Sequence, residues 1–206
     1  HKASRSSTFE TTIRALGGLL SAYEFSGHDE MYLDKAKLLA NRLMKAFTTR
    51  SGLAASSVPL HTDAHIGTTQ TSFYLAEVGT LQLEFRALAQ YTGEAKYEKA
   101  AMKFMHLMAD RVLEHGAEAL STTQVNERGN NAGGRVTMGG GGDSYYEYLL
   151  KLWVQSTYSV QDAPFKRVWE KAMNEADKKL VRRTGGSSPR TYLSPQPMEH
   201  LACFLP

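Results

Sequence analysis

Two stretches of the chain share one order of residues, and this repeat constrains the fold more than any other feature. The letters LLSAYEFSG precede YLDKAKLLANRLM, and FRALAQYTG precedes YEKAAMKFMHLM. Each stretch has an apolar helical pattern, a glycine, a Tyr, a Lys-Ala pair and a second apolar helical pattern. The two glycines, Gly27 and Gly93, lie 66 residues apart, and residues 144–180 keep the order more loosely. The sequence therefore predicts a series of helical hairpins.

Hairpins of this kind cannot bury their apolar faces one at a time, so neighbouring hairpins must stack. Stacked hairpins extend as a solenoid or close as an α/α toroid. Long polar segments separate the hairpins, at about residues 48–71 and 117–142, with a short β-hairpin possible in the second. Loops of this length suit one open end of a ring. The predicted fold class is all-α, with hairpins that form part of a toroid.

Caps, glycines and prolines predict where the helices begin and end. Ser7 and Glu10 form a capping box before the first helix, and Gly27 follows its end. A Gly17-Gly18 pair inside this helix indicates close packing of another backbone. Further helices are expected over about Met31–Phe47, Phe73–Tyr91, Tyr97–Met108, Asp143–Val154 and Pro164–Leu180. The apolar residues at helical spacing that are expected to form the inward faces are Phe9, Ile13, Leu16, Leu20, Tyr23, Ala36, Leu39, Ala40, Leu43, Phe47, Val78, Leu81, Phe85, Leu88, Tyr97, Ala101, Phe104, Met108, Tyr146, Leu149, Leu150, Trp153, Val168, Ala172 and Leu180.

Composition excludes few classes of function. With 24 basic and 21 acidic residues the net charge is +3, which does not argue for nucleic acid as a partner. No apolar run reaches the length of a spanning helix, and the polar start HKASRSS does not resemble a signal peptide. The 206 residues suffice for one large domain or two small ones. Cys203 is the one cysteine, so no disulfide can close within this chain.

Four consecutive glycines, Gly139 to Gly142, lead into a helical pattern that begins DSYYEYLLKLW. Asp143 and Glu147 lie four residues apart and project from the same side of the first turns. The glycines allow the backbone to pass close to another surface or to a ligand. A second interpretation is a flexible connector followed by a capping box from Ser144 to Glu147.

Acidic residues stand at the start of the first helix of each hairpin: Glu10, Glu77, and Asp143 with Glu147. Each has an ordinary explanation, because the helix dipole favours acids near an N-terminus. Repetition of the pattern in three hairpins predicts a cavity lined with carboxylates at one end of a ring. Paired carboxylates are what hydrolysis of a glycosidic bond requires.

Four segments in this order, FETTIRALGGLLSAY, LAEVGTLQLEF, GGDSYYEYLLKLW and MEHLACFLP, resemble the signature segments of class I α-1,2-mannosidases, glycoside hydrolase family 47. The resemblance runs from about Ser7 to Pro206. It implies an inverting, Ca²⁺-dependent exo-hydrolase with an (α/α)7 barrel. The implied substrate is α-1,2-linked mannose of Asn-linked high-mannose glycans. The implied location is the lumen of the endoplasmic reticulum or Golgi, or the exterior, with any membrane segment outside this chain.

The resemblance also implies residue roles. Glu10 matches the glutamate proposed as general acid, acting directly or through a water. Asp143 matches an aspartate of the same constellation, and His200 matches a histidine beside the cleaved bond. Three further residues match polar groups that bind mannose in the deepest subsite: Arg14, Glu77 and Glu147. Cys203 matches a cysteine that many members pair in a disulfide with a later partner.

Three features of the family are missing from these 206 residues. The later glutamate usually assigned as the base and the threonine that binds Ca²⁺ would both follow Pro206. Gly141 stands where many members have an arginine, which predicts a roomier cleft and cleavage at more than one branch. Residues 1–206 are therefore expected to be one partial barrel domain, incomplete at both ends, without metal ligands of its own and inactive alone.

Two alternatives to the glycosidase stay open. Some relatives of this fold serve in glycoprotein quality control, where recognition of a mannose glycan matters as much as cleavage. The other alternative is a helical scaffold without a sugar site. The retained Glu10, Asp143 and His200 favour the enzyme.

Overall fold

The structure is a computed structural model that describes residues 5–61, 69–183, 185, 191–193 and 200–204. The chain divides into two compact units. The first comprises the chain up to Phe73 together with Glu77–Phe104, and the second comprises Tyr74–Ala76 and the chain from Met105 onward. The prediction of a single domain stays a prediction.

Helices with short strands between them make up the first part of the chain. Its elements are β1 (Ser6–Ser7), α1 (Thr8–Glu10), a π-helical segment (Thr11–Leu16), α2 (Gly17–Phe25), α3 (Glu30–Leu43), a 3-10 turn (Met44–Phe47), β2 (Ser57–Val58), β3 (Ser72–Tyr74), α4 (Leu75–Val78) and α5 (Gln82–Thr92). The long helix α6 (Lys96–Leu113) passes from the first unit into the second. β1 and β2 pair antiparallel, with Ser6 opposite Val58.

The second part of the chain contains β4 (Thr122–Asn126), β5 (Asn131–Val136), α7 (Asp143–Gln155), α8 (Ala163–Lys179), β6 (Val181–Arg183), β7 (Thr191–Leu193) and a 3-10 helix (His200–Phe204). One sheet has the strand order β3-β4-β5, and β4 and β5 are the antiparallel hairpin expected between residues 117 and 142. β6 and β7 pair antiparallel, whereas the Ser, Pro and Gly content of residues 182–197 predicts a loop. Helices α7 and α8 pack against each other as a hairpin.

The predicted helical faces form the core of the first unit. Leu16, Ala36, Leu43 and Phe85 are fully buried, and Tyr97 of α6 is also fully buried. Burial of this apolar surface is the dominant stabilising contribution, at about 25 cal/mol per Å². In the described part of the chain, no helix is long and apolar enough to cross a membrane.

The helix predicted from Phe73 to Tyr91 is wrong in its first half. Phe73 lies in β3, and the helical conformation is interrupted between α4 and α5. The physical reason is the fully buried amide of Gln82. Its Oε1 accepts the N–H of Leu81 at 2.9 Å, and its Nε2 donates to the carbonyl of Val78 at 2.9 Å. The side chain thus satisfies the backbone groups that the break leaves without helical partners.

The Gly17-Gly18 pair does not mark a close approach of two backbones within the described chain. A Cβ at Gly17 would lie 3.5 Å from the Cγ of Glu84, which is ordinary contact with a side chain. A Cβ at Gly18 would meet nothing within 4 Å. The predicted backbone contact is therefore wrong for these residues.

Glu24, at the end of α2, accepts hydrogen bonds from two side chains of the first unit. The hydroxyl of Tyr91 donates to its Oε2 at 2.7 Å, and the Nε2 of His28 lies 3.2 Å from the same oxygen. The Tyr91 bond, followed by the His28 bond, lowers the pKa of Glu24 below its ordinary value of 4.5. The same bond to Glu24 raises the pKa of Tyr91 to about 12, so the phenol remains a donor at neutral pH.

We expect Tyr91→Phe to raise the pKa of Glu24 toward 4.5, because the largest contribution to its depression is removed. A depressed carboxyl pKa contributes stability that is present above the ordinary pKa and is lost as pH falls through the folded value. The variant should therefore lose less stability between neutral and acid pH than the parent. NMR titration of the Glu24 carboxyl measures the effect, and Tyr32→Phe is the control in the same unit. An unchanged Glu24 midpoint in Tyr91→Phe contradicts the assignment.

Candidate active site

Glu10 and Arg14 lie together at the start of the first helical segment. The hydroxyl of Ser7 accepts the N–H of Glu10 at 3.1 Å, which confirms the predicted cap. The Glu10 carboxylate is half-exposed and forms an ion pair with the guanidinium of Arg14. Arg14 belongs to the π-helical segment, and π turns inside helices occur frequently at functional sites. The pair presents a carboxylate and a cation to solvent on one helical turn.

Glu77 carries a carboxylate oxygen without a donor. Its side chain is half-buried in α4, yet its Oε2 is fully buried and has no hydrogen-bond partner among the described residues. A buried carboxylate oxygen that lacks a donor is costly. Such an oxygen can accept a hydrogen bond from a ligand hydroxyl or from water.

Asp143 is the first residue of α7, and Gly142 is the N-cap. The interpretation of a capping box from Ser144 to Glu147 is therefore wrong, because Ser144 already lies inside α7. The carboxylate of Glu147, one turn further along α7, forms an ion pair with the ammonium of Lys151. The spacing of four residues is a sequence signal for such a pair, which the acid pattern alone did not reveal. Asp143 and Glu147 are both half-buried.

His200 is exposed and begins the 3-10 helix His200–Phe204, which lies against α7. Within the second unit the structure thus brings the helix of His200 next to the helix that carries Asp143 and Glu147. The side chain of Cys203 lies outside the described residues, and so does any test of its pairing. Convergence of these residues with Glu10 and the other first-unit residues at one end of the helical array stays a prediction.

Two buried tyrosines hold the first turn of α7 in place. Tyr145 and Tyr146 are fully buried, and burial raises the pKa of both phenols. The hydroxyl of Tyr146 accepts the N–H of Ser121 at 3.0 Å, which ties α7 to the residue just before β4. The apolar surroundings keep both phenols neutral, so both rings pack, and Tyr146 forms its hydrogen bond, without carrying charge.

The space beside Gly141 is occupied. Gly141 has a positive φ of 91°, and a Cβ here would lie 3.2 Å from the Cγ2 of Thr123. The expectation that glycine leaves open space is therefore wrong at the Cβ position, because Thr123 fills it. An arginine at 141 would require a shift of Thr123 and a strained backbone. The breadth of the cleft beyond this position stays a prediction.

A metal centre requires several ligand groups within reach of one ion. In the described part of the chain, no three His, Cys, Asp or Glu side chains gather closely enough to hold a metal ion. Ca²⁺ prefers six to eight oxygen ligands, with carboxylates prominent among them, and no such carboxylate cluster occurs among the described residues. The described residues therefore do not fit a Ca²⁺ site of their own, and the steps below rest on side chains alone.

Comparison with known proteins places the chain in a family of glycosidases. Glycosyl hydrolase family 47 matches residues 1–206. A mannosyl-oligosaccharide 1,2-alpha-mannosidase of Arabidopsis thaliana is 39% identical over 97% of this chain. An endoplasmic reticulum mannosyl-oligosaccharide 1,2-alpha-mannosidase of Schizosaccharomyces pombe is 37% identical over 97% of it. The chain belongs to glycosyl hydrolase family 47. It spans 37% and 40% of the lengths of these two relatives.

A solved structure supports the same assignment. The alpha-1,2-mannosidase from Trichoderma reesei aligns with a TM-score of 0.74 and 31% sequence identity. The alignment covers 87% of this chain and 39% of that one. The predicted fold class, all-α with the hairpins of an (α/α)7 barrel, is confirmed. The predicted family is also confirmed.

Proposed function

We propose that the chain belongs to the catalytic domain of an enzyme that removes α-1,2-linked mannose from Asn-linked high-mannose glycans. The observation that carries the proposal is the match to glycosyl hydrolase family 47 over residues 1–206, with the predicted acids retained. Relatives named mannosyl-oligosaccharide 1,2-alpha-mannosidase from plant and fungus support the substrate class. Relatives named for the endoplasmic reticulum support a location in the secretory pathway.

Glu10 is the proposed general acid that delivers a proton to the departing glycosidic oxygen, through a water where the gap requires one. The neighbouring Arg14 guanidinium forms an ion pair with the Glu10 carboxylate and holds it in place. Asp143 is proposed to share the acid/base work from the start of α7, and His200 to lie beside the scissile bond. In an inverting enzyme, acid and base stand about 6.5–9.5 Å apart so that water fits between them.

The remaining three residues are proposed to bind the terminal mannose. The buried Oε2 of Glu77 accepts a sugar hydroxyl, which supplies the donor that the described residues lack. Arg14 donates to hydroxyl oxygens, and Glu147 accepts from hydroxyls while Lys151 fixes its orientation. Carboxylates and guanidinium groups held in this way suit a polyhydroxylated ligand rather than an apolar one.

Ca²⁺ dependence is proposed for the full-length protein, with ligands supplied from outside these residues. The catalytic base is likewise expected from outside this chain, so residues 1–206 alone should not turn over mannosides. A bound Ca²⁺ would supply positive charge that orients the sugar hydroxyls. The proton transfers proposed for Glu10 and Asp143 do not depend on that orientation.

The proposal is tested on the full-length protein with a fluorescently labelled nine-mannose glycan. We expect release of free mannose, which inversion of the α-linkage makes the β-anomer. Release should be lost when a chelator removes Ca²⁺. Asp143→Asn should slow release by roughly 10²–10⁴-fold, the range for a removed acid or base. Retention of the glycan on the immobilised protein without any mannose release would instead support a quality-control binding function. Failure of both binding and release would contradict the proposal.

A further inference from the structure

The hairpin of β4 and β5 has two register shifts, and the first of them lies at Thr123. Thr122 pairs with Val136, and the next paired residue, Gln124, lies opposite Gly133. Thr123 therefore faces two residues of β5, Gly134 and Arg135, instead of one. An extra residue of this kind is a β-bulge, which bends the strand and redirects a side chain. Bulges are frequent next to active sites.

The two branches of Thr123 contact two different glycines. Gly134 has a φ of +78°, and a Cβ there would lie 1.9 Å from the Oγ1 of Thr123. Gly141 has a φ of +91°, and a Cβ there would lie 3.2 Å from the Cγ2 of Thr123. A side chain at Gly134 would collide with Thr123, and one at Gly141 would require Thr123 to give way by a few tenths of an ångström. Thr123 thus fills a slot between the bulge and the glycine loop that precedes α7.

The glycine loop passes this restraint directly to Asp143. The carbonyl of Gly139 accepts the N–H of Gly142 at 3.1 Å and the N–H of Asp143 at 3.0 Å. The carbonyl of Gly141 accepts the N–H of Ala76 at 3.0 Å. These bonds make residues 139–143 one closed turn, so a displacement of Gly141 displaces Asp143.

We infer that Thr123 is a positioning residue for Asp143: its Cγ2 methyl, held by the bulge at Gly134, fixes Gly141 and with it the first turn of α7. The inference rests on the proposed function, because it assigns Thr123 a role in turnover through Asp143. Removal of the methyl leaves a gap into which the loop can relax. The hydroxyl faces the bulge at Gly134, and this contact keeps the methyl directed at Gly141.

The test uses three variants in the full-length protein, assayed on an α-1,2-linked mannobiose. Thr123→Ser removes the methyl and keeps the hydroxyl, whereas Thr123→Val keeps a methyl in the slot. Thr122→Ser is the matched control, because it removes the same methyl from the adjacent residue of β4. Misplacement of a catalytic group by 1 Å costs up to about 10²-fold, so we expect Thr123→Ser to lower kcat by roughly tenfold. KM should stay within about twofold, and Thr123→Val and Thr122→Ser should stay within about twofold of the parent in kcat.

Amide hydrogen exchange at Gly142 and Asp143 gives a readout that does not need turnover. Thr123→Ser should speed exchange at these two amides, and Thr122→Ser should not. If the parent has no mannosidase activity, the proposed function fails, while the exchange rates still test the restraint. A folded Thr123→Ser variant with parental kcat overturns the inference. So does a folded Thr123→Val variant that is as slow as Thr123→Ser, or an unchanged exchange rate at both amides.

Discussion

Glu10→Gln in the full-length protein should lower kcat on an α-1,2-linked mannobiose by roughly 10²–10⁴-fold, the contribution of a positioned general acid. Glutamine preserves the side-chain volume and the surrounding helix, but it has no acidic proton to deliver to the departing oxygen. It also gives up the charge that pairs with Arg14. In the pH profile of kcat/KM, the limb that reports deprotonation of the general acid should disappear in the variant.

A change of leaving group distinguishes a general acid from a residue that only binds the substrate. The phenolate of an aryl mannoside with a strongly acidic phenol departs without protonation. Glu10→Gln should therefore lose much less rate on that substrate than on the disaccharide. Glu30→Gln is the matched control, because it makes the same change at an exposed glutamate in the first turn of α3. A rate for Glu10→Gln on mannobiose within threefold of the parent would rule out the assigned role. Equal losses on both substrates would assign Glu10 to binding instead.

Gly142→Ala should destabilise the protein by about 1–3 kcal/mol, the usual range for added volume in a packed site. A Cβ at Gly142 would lie 2.5 Å from the carbonyl oxygen of Thr137, which is backbone and cannot rotate away. Gly142 is fully surrounded, and it is the N-cap of α7. Relief of the overlap therefore requires movement of the turn that carries Asp143.

Gly18→Ala is the matched control for the same chemical change. A Cβ at Gly18 would meet nothing within 4 Å, and the residue lies inside α2. Alanine should therefore stabilise by about 0.5–1 kcal/mol, through its higher helix propensity. Denaturant unfolding of both variants and the parent measures the two opposite changes. If Gly142→Ala unfolds at the same denaturant concentration as the parent, the close approach to Thr137 is not as described.

Helix existence was predictable because periodic apolar residues decide it. The face of α6 that includes Tyr97, Phe104 and Met108 is buried as the spacing predicts. The break between α4 and α5 was not predictable, since it depends on a buried amide that bonds Leu81 and Val78 in place of helical partners. A glutamine in a helical pattern carries no sign of that role.

The candidate site divides in the same way. Residue types and helix starts were enough to select Glu10 and Asp143 as candidates, and their roles stay predictions. The ion pair of Glu10 with Arg14 follows from spacing. The buried oxygen of Glu77 and the wedge of Thr123 between two glycines depend on tertiary packing and a bulge. No local pattern encodes these contacts, so the sequence could not reveal them.

The π-helical segment Thr11–Leu16 has a consequence for direction. A π turn takes up an additional residue, and one residue corresponds to about 100° of rotation around an α-helix. The segment therefore takes up this residue between the end that carries Glu10 and the buried face of α2. Leu20 is buried after the segment, whereas Phe9 before it is only half-buried. Because the π turn absorbs the additional residue, deletion of one residue within 11–16 should give a regular α-helix in which Glu10 keeps its direction relative to the buried Leu20.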